Sequence, residues 1–341
     1  MKKIVNIIIM LYLCSYASAQ VISGFVYDKD TNQPISDVCV YLDGTSINTL
    51  TDASGRFELQ TKSVINTKLV LFRISYYPVI IERPLEELPD ILYLKERDNI
   101  LKEVTVLGDC FTREQKMEAF REQFLGTSKA GKSCIIQNEG DITLSFDMQT
   151  RILSAASDKP VIVVNKYLGY QVSFTLVDFN TAYPYVSDCK DGLTNKYVGK
   201  TVLVVTSSYT DLYPGSKKIK RNRDEIYRQS SNYFFKSLIN NTLKDNGFQA
   251  TIKSIGKNNS LDYFIAKDTL SLTFLSINPE YREIGRTVKV SRKNKWSDIH
   301  FFTDSLLVDS YGNIDRIYEV AFTGEMGKNR AGDLLPIDYE P

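Results

Sequence analysis

The chain has only one histidine and one tryptophan among its 341 residues. A zinc site that needs two histidines cannot be built from a single imidazole. His300 could act as a general base with Asp298 or Asp304, but a lone histidine beside strand aromatics is more commonly an ordinary strand residue. No G-x-S-x-G nucleophile motif is present either. The sequence therefore predicts a protein that is not an enzyme, with no catalytic, cofactor-binding or metal-ligating residue.

An excess of charge of either sign is also missing. The 42 lysines and arginines nearly balance the 41 aspartates and glutamates, which leaves a net charge of +1. A surface without a strong overall field gives no reason to expect binding to nucleic acid or to an anionic membrane.

Long apolar runs are confined to the N-terminus. Residues 4–13 are almost wholly apolar, two lysines precede them, and a small-residue Ala-Ser-Ala site ends at Ala19. The run falls short of the ~20 residues that span a bilayer. It predicts a secretory signal peptide over residues 1–19 and a mature chain from Gln20 without a transmembrane segment. We expect an exported protein in the periplasm, at the outer membrane or outside the cell.

Cysteine is sparse as well. Four of the five cysteines lie in the predicted mature chain, at Cys39, Cys110, Cys134 and Cys189. An oxidising compartment permits disulfides, and four cysteines allow three pairings. Cys110 and Cys134 flank a predicted helix and are the favoured pair, although unpaired thiols are an equal alternative. The spacings match no zinc pattern.

Residues 21–59 show a pattern of short strands separated by turns. Alternate positions from Val38 to Leu42 are aliphatic, as in a strand that is buried on one face. Turn-forming residues follow at positions 43–44 and 51–55. Strands at roughly ten-residue spacing predict an all-β sandwich.

A more specific pattern runs through this stretch and beyond it. It has a G-x-V-x-D start, a proline-initiated second strand that ends in Gly-Thr, a Thr-Asp-x-x-Gly-x-Phe turn and three later apolar segments. The residues concerned are Gly24, Val26 and Asp28; Pro34, Gly44 and Thr45; Thr51, Asp52, Gly55 and Phe57; and positions 69–72, 91–94 and 101–106. In these residues the chain closely resembles the carboxypeptidase regulatory-like domain, a transthyretin-like β-sandwich. It differs at Ser75, where the family usually has glycine.

The resemblance implies a sandwich over residues 20–108 that acts as a docking or stability module. This domain often precedes an outer-membrane receptor in one polypeptide, which suggests an outer-membrane or periplasmic partner. Strand edges and the loop at residues 44–48 would contact that partner. Zinc carboxypeptidase activity is excluded, because such an active site resembles two histidines and a glutamate on one metal.

Residues 110–341 are predicted to form an α+β domain of unknown function, with antiparallel strands and two main helices. One helix begins at Thr112, which has capping-box spacing to Gln115, and ends at Gly126. The other covers residues 221–244. The fold class is therefore mainly β, a transthyretin-like sandwich followed by this α+β domain.

The second half carries a resemblance of its own. It lies in residues 124–128, Cys134, residues 165–170, the basic start of the long helix and residues 334–336. Together they resemble a module that follows the regulatory-like domain in secreted Gram-negative proteins and has no assigned activity. The resemblance supports one continuous unit and implies no chemistry.

Three polar motifs allow two interpretations each. Residues 126–133 match the phosphate-loop pattern G-x-x-x-x-G-K-S, but a predicted helix precedes them and a strand follows, which favours a helix C-cap and a polar loop. The basic run at residues 217–223 indicates a solvated helix start or a site for phosphate, anionic glycan or lipid headgroup. Four aspartates either cap turns or bind calcium; they are Asp28, Asp30, Asp43 and Asp52.

The sequence thus favours a non-catalytic exported envelope protein whose sandwich is a docking or stability module. The alternative is a glycan-binding protein or glycan-acting enzyme with its site in the C-terminal domain. Tyrosines at residues 183–185 and 209–213 would then line a sugar-binding cleft.

Overall fold

The computed structural model describes residues 20–97, 109–186, 189–190, 192–193, 197–254, 257–260, 263–267, 273–277, 287–303 and 305–341. The predicted signal peptide, residues 101–106 of the family pattern, and Asp304 lie outside these ranges. Within them the fold is mainly β, as the sequence predicts. None of the helices that could be searched is both long enough and apolar enough to cross a membrane.

The N-terminal part is a β-sandwich of two sheets. Its first sheet has the order β4-β1-β7, with β1 and β7 parallel, and its second sheet has the order β3-β2-β5-β6. The inward-facing aliphatic side chains of both sheets form one core, in which Val26, Val40 and Leu71 are fully buried. The elements are β1 (Gln20–Asp28), β2 (Cys39–Leu42), β3 (Asn48–Leu50), β4 (Arg56–Thr61), β5 (Leu69–Phe72), β6 (Val79–Ile81), α1 (Pro84–Glu87) and β7 (Ile91–Leu94).

A helix packed on a six-stranded sheet follows. The sheet has the order β8-β11-β12-β10-β9, and β13 pairs with the long strand β12. Phenylalanines from the helix and the sheet meet in the core between them. Phe120 stacks on Phe124 of the same helix and contacts Phe179 of the sheet edge-on. The elements are α2 (Arg113–Leu125), β8 (Cys134–Ile136), β9 (Thr143–Asp147), β10 (Ile152–Ala156), β11 (Val161–Asn165), β12 (Tyr170–Ala182) and β13 (Thr201–Asp211).

The capping prediction for α2 is confirmed. The Thr112 hydroxyl accepts a hydrogen bond from the Gln115 amide, and the Gln115 side chain accepts one from the Thr112 amide. Gly126 ends the helix with a φ of 88°, a left-handed conformation that favours glycine.

The single long helix predicted over residues 221–244 is wrong. Two helices occupy the region, α3 (Lys217–Tyr227) and α4 (Ser231–Ile239). Ser230 separates them because it adopts an extended conformation and its hydroxyl caps the Tyr233 amide. The apolar spacing continues through the break, so periodicity alone could not reveal it.

The remaining strands form two sheets that share a second core in the predicted α+β domain. The sheet orders are β15-β14-β18-β19-β21 and β16-β17-β20. Phe234 and Phe235 of α4 pack in this core with Ile299. The strands are β14 (Gln249–Ser254), β15 (Lys257–Ser260), β16 (Tyr263–Lys267), β17 (Thr273–Ile277), β18 (Thr287–Arg292), β19 (Lys295–Phe301), β20 (Ser305–Val308) and β21 (Val320–Phe322).

The favoured disulfide is also wrong. Cys110 is bonded to Cys189, with their Cα atoms 5.7 Å apart, whereas Cys39 and Cys134 are free thiols. Gln115 in the first turn of α2 donates to the Cys189 carbonyl over 3.2 Å, which holds the Cys189 loop beside Cys110. Cys134 is the first residue of β8, where it lies opposite Asn165 of β11 in the antiparallel strand pair.

Candidate functional site: the clasp and the basic cleft

The sandwich is held to the rest of the chain through the loop after β2. The Gly44 amide donates to the Ser207 carbonyl over 2.8 Å, and the Tyr209 amide donates to the Thr45 carbonyl over 3.0 Å. The Asp43 carboxylate accepts from the Ser207 amide over 2.7 Å. The loop therefore lies beside β13 and forms a short parallel bridge with it, from Thr45 to Ser208.

The C-terminal tail closes over the same loop. The Ile337 amide donates to the Gly44 carbonyl over 2.7 Å, and Asp338 accepts from the Ser46 amide and hydroxyl over 2.9 and 2.5 Å. Gly44 has a φ of 74°, and a Cβ atom there would lie 2.6 Å from Cδ1 of Ile337. We call residues 43–46, 207–209 and 337–338 the clasp.

The clasp corrects one expectation from the sequence. The loop at residues 44–48 was predicted to offer a contact surface to another protein. Its first half instead binds β13 and the C-terminal tail of the same chain. Of this loop, only residues 47–48 stay outside these contacts.

A second contact joins the sandwich to the loop after β20. Asp309 accepts hydrogen bonds from the amides of Asn66, Tyr311 and Asn313 over 2.9–3.0 Å. Tyr311 itself is buried in the sandwich core. Burial raises the pKa of the Asp309 carboxyl to about 6, against the lowering effect of these amide hydrogen bonds. Burial likewise raises the pKa of Asp43 in the clasp to about 6.

The segments that resemble the unassigned module converge on one polar centre. The buried Asn165 side chain donates to the Gly332 carbonyl over 2.9 Å and accepts from the Leu168 amide over 2.9 Å. The Ser128 hydroxyl donates to the Asp333 carboxylate over 2.5 Å. Residues far apart in sequence therefore have a shared structural role, which is to fix the C-terminal turn on the six-stranded sheet.

Part of the predicted basic run is structural. Arg223 forms two hydrogen bonds of 2.8 Å to Asp211, donates to the Leu168 carbonyl, and lies 3.8 Å from the ring centroid of Tyr170. These contacts anchor α3 to the six-stranded sheet. Hydrogen bonding from the guanidinium holds the pKa of Asp211 below its ordinary value.

Another face of α3 borders a cavity of about 420 Å³, which we call the basic cleft. Its opposite wall comes from the β18–β19 hairpin and the turn that follows β21. Five basic and three acidic side chains line it together with apolar ones, among which Phe248 is buried at the base. The charged residues are Arg221, Asp224, Glu225, Arg228, Arg292, Lys293, Lys295 and Glu325.

A second cavity of about 550 Å³ adjoins the basic cleft. The two share Gln229, Lys295 and Glu325 as lining residues. Lys295 donates to the Gln229 side chain over 2.7 Å and lies 3.4 Å from Glu325, so these three residues form a fixed boundary. The second cavity also includes residues 126–128 of the phosphate-loop pattern.

The phosphate-loop pattern has the structure that its flanking elements predict. It begins at the C-cap of α2, continues through a 3₁₀ turn at Gly131–Ser133 and leads into β8. A Cβ atom on Gly131 would lie 2.4 Å from the Leu125 carbonyl oxygen, so close backbone packing accounts for that glycine. The order helix, turn, strand is the reverse of a phosphate-binding loop.

His300 lies in β19, where its Nδ1 is 2.9 Å from the Thr287 hydroxyl on the neighbouring strand. This contact fits an ordinary strand residue. Among the residues the structure describes, no group of three or more His, Cys, Asp or Glu side chains could hold a metal ion.

The turn aspartates make local hydrogen bonds. Asp28 accepts from the Asp30 and Thr31 amides, and Asp52 accepts from the Ser54 amide. The turn-capping interpretation is confirmed for these two carboxylates.

The predicted tyrosine segments do not line one cleft. Tyr183 and Tyr209 are buried in the core, whereas Tyr185 and Tyr213 are exposed. Tyr185 instead lies beside the exposed Tyr197, with 5.8 Å between ring centroids.

Sequence reasoning identified only one wall of the basic cleft. Arg221 belongs to the basic run noted in the sequence, but Arg292 and Lys293 come from a hairpin about seventy residues later. The signal that could have found them is the positive charge around the turn between β18 and β19, where residues 292–295 read Arg-Lys-Asn-Lys.

The architecture defines a β-sandwich module clasped to a larger, mainly β region. Residues 22–106 match the family model of the CarboxypepD_reg-like domain. The N-terminal quarter of the chain is therefore a carboxypeptidase regulatory-like domain, and this match does not extend to the C-terminal region. A search of curated proteins found no match.

Proposed function

We propose that this is a non-catalytic, exported envelope protein whose sandwich is a docking and stability module for an outer-membrane or periplasmic protein. The clasp supports the stability role, because it joins the sandwich to β13 and the C-terminal tail. The proposed lack of catalysis rests on the single histidine and its pairing with Thr287.

The observation that carries the docking role is the outer face of the first sheet. Val21 and Phe25 of β1 and Ile91 and Tyr93 of β7 are 37–55% exposed. Phe25 is paired with Ile91 in register, so their side chains lie on the same face of neighbouring strands. Apolar side chains gathered on one exposed face are typical of a protein interface.

The test compares two matched double variants. Phe25→Asp/Tyr93→Asp places charge on this face, and Ile317→Asp/Tyr318→Asp places it at apolar positions of the C-terminal region that are more exposed still. We expect the wild-type protein and the second variant to co-purify with an envelope protein in mild detergent, and the first variant to lose that protein. Export is checked by a mature N-terminus at Gln20 in the envelope fraction.

The alternative is a glycan-binding or glycan-acting protein. The exposed pair of Tyr185 and Tyr197 favours it, since aromatic faces stack on sugars. Absence of any protein partner, together with glycan binding or hydrolysis by the purified protein, would overturn the docking proposal in favour of this one.

A further inference from the structure

The basic cleft contains positive charge that the protein itself does not neutralise. Arg221, Arg228 and Lys293 are exposed, and in the described part of the chain their side chains have neither an ion-pair nor a hydrogen-bond partner. Exposed lysines and arginines are common, so exposure alone indicates little. What distinguishes these three is that they border one cavity from two separate elements.

The carboxylates of the same cavity are already engaged. Asp224 accepts from the Tyr339 hydroxyl over 2.5 Å, and Tyr167 donates to Glu225 over 3.5 Å. Glu325 forms ion pairs with Lys328 at 2.6 Å and Lys295 at 3.4 Å. None of the three acidic residues is paired with Arg221, Arg228 or Lys293, and the five basic side chains outnumber the three acidic ones, which leaves a local excess of positive charge.

Arg292 adds a guanidinium that is rigidly held but not neutralised. It donates to the carbonyls of Asn246 and Arg228 over 2.9 and 3.1 Å, and its Cζ lies 5.3 and 5.4 Å from the ring centroids of Tyr233 and Phe248. A guanidinium has five N–H donors, so several are left for a ligand. Fixed orientation reduces the entropy that binding would cost.

The base of the cavity is apolar. Phe248 and Val290 belong to the second core, and Met326 lies at its edge. A volume of about 420 Å³ suits a small ligand that combines a charged group with an apolar or planar one.

We propose that the basic cleft binds an organic phosphate. The phosphate would contact Arg221, Arg228 and Lys293, and its apolar or planar substituent would pack on Phe248 and Met326. A phosphate monoester carries up to two negative charges and offers several acceptor oxygens, so it suits three or four cations that line one cavity better than one carboxylate does. This inference is independent of the docking role proposed for the sandwich.

The experiment uses phenyl phosphate as the probe, with calorimetric titration of the full-length mature protein. The cleft variant is Arg221→Gln/Arg228→Gln/Lys293→Gln. The control is Lys218→Gln/Lys220→Gln/Lys289→Gln, which removes the same charge at exposed positions outside the cavity. We expect the cleft variant to bind at least about tenfold more weakly and the control to stay within about twofold of wild type. Circular dichroism and the melting temperature confirm that both variants fold.

Two further arms identify the source of the phosphate. Inorganic phosphate should bind more weakly than phenyl phosphate, because it lacks the apolar group. Vesicles of phosphatidylglycerol that bind wild type but not the cleft variant would identify a lipid headgroup, whereas binding of phenyl phosphate alone would identify a soluble ligand. No binding of phenyl phosphate by wild type, or equal weakening in both variants, would overturn the proposal. Equal affinity for inorganic phosphate would overturn its apolar part.

Discussion

The turn aspartates of the sandwich and two polar side chains that fix the C-terminal turn find their hydrogen-bond partners at very different distances along the chain. In the sandwich, Asp28 and Asp52 accept hydrogen bonds from amides two to four residues away. In the C-terminal region, Asn165 donates to a carbonyl 167 residues away, and Ser128 donates to a carboxylate 205 residues away. Local signals therefore specify these turns of the sandwich, whereas the attachment of the C-terminal turn depends on contacts that form only in the complete fold.

The largest expected effect concerns the disulfide, which stabilises the C-terminal region and has no counterpart in the described part of the sandwich. Cys110 and Cys189 lie 79 residues apart and both belong to the C-terminal region. Closing a loop of that length is worth about 4 kcal/mol in the chain-entropy account. Cys110→Ser/Cys189→Ser should lower the free energy of unfolding of that region by about this amount, as measured by calorimetry.

The matched control replaces the two free thiols, Cys39 and Cys134, by serine. We expect a loss of about 1 kcal/mol or less, since neither residue forms a covalent link. Peptide mass spectrometry without reduction should give a Cys110–Cys189 linked pair. A linked pair of Cys110 and Cys134 would contradict the structure.

A second pair of variants tests the comparison between local and distant hydrogen bonds. Asn165 is buried and bonds Gly332, Leu168 and Ser133, so Asn165→Ala leaves several buried groups without partners and should cost about 3 kcal/mol. Asp52→Ala removes only turn hydrogen bonds on the surface and should cost much less. Urea unfolding measures both, and equal losses would break the comparison.

This difference explains how much of the fold could be predicted. The strands of the sandwich and the capped helix α2 follow from alternation, turn residues and the Thr112–Gln115 pair, all of which act within a few residues. The break at Ser230 was missed because a serine cap is compatible with an uninterrupted apolar stripe around it. The local pattern is compatible both with one long helix and with two helices, and tertiary packing decides between them.

The candidate site was less accessible to sequence reasoning. The sequence places Arg221 and Arg223 in one basic run, but in the structure they have different surroundings. Arg221 lines the basic cleft, whereas Arg223 is buried against Asp211 and Tyr170. Arg292 reaches the same cavity from a distant hairpin. The clasp was also unpredictable, because the sequence of residues 43–46 indicates a turn and carries no sign of the strand it meets.

The smallest expected effect tests the contact between the sandwich and the loop after β20, which Asp309 forms with Asn66. Burial raises the pKa of Asp309 from its ordinary value of 3.8 to about 6, so the folded protein takes up this proton before the unfolded chain does. The resulting stabilisation is fully present below pH 3.8 and is lost as the pH rises through about 6. As the pH falls from about 7 to about 5, protonation of Asp309 should raise the free energy of unfolding by about 1 kcal/mol.

Asp309→Asn keeps the shape of the side chain and removes its titration, so the stability difference between wild type and this variant isolates the effect. Carboxyls elsewhere whose pKa is lowered, such as Asp211, titrate in both proteins and cancel. Wild type should gain on the variant as the pH falls from about 7 to about 5, as followed by urea unfolding at each pH. Asp43→Asn should act in the same direction, since burial raises the pKa of Asp43 as well. A stability difference that does not change with pH would mean that the Asp309 contact with Asn66 is not formed in solution, and the clasp would then be the main contact between the two regions.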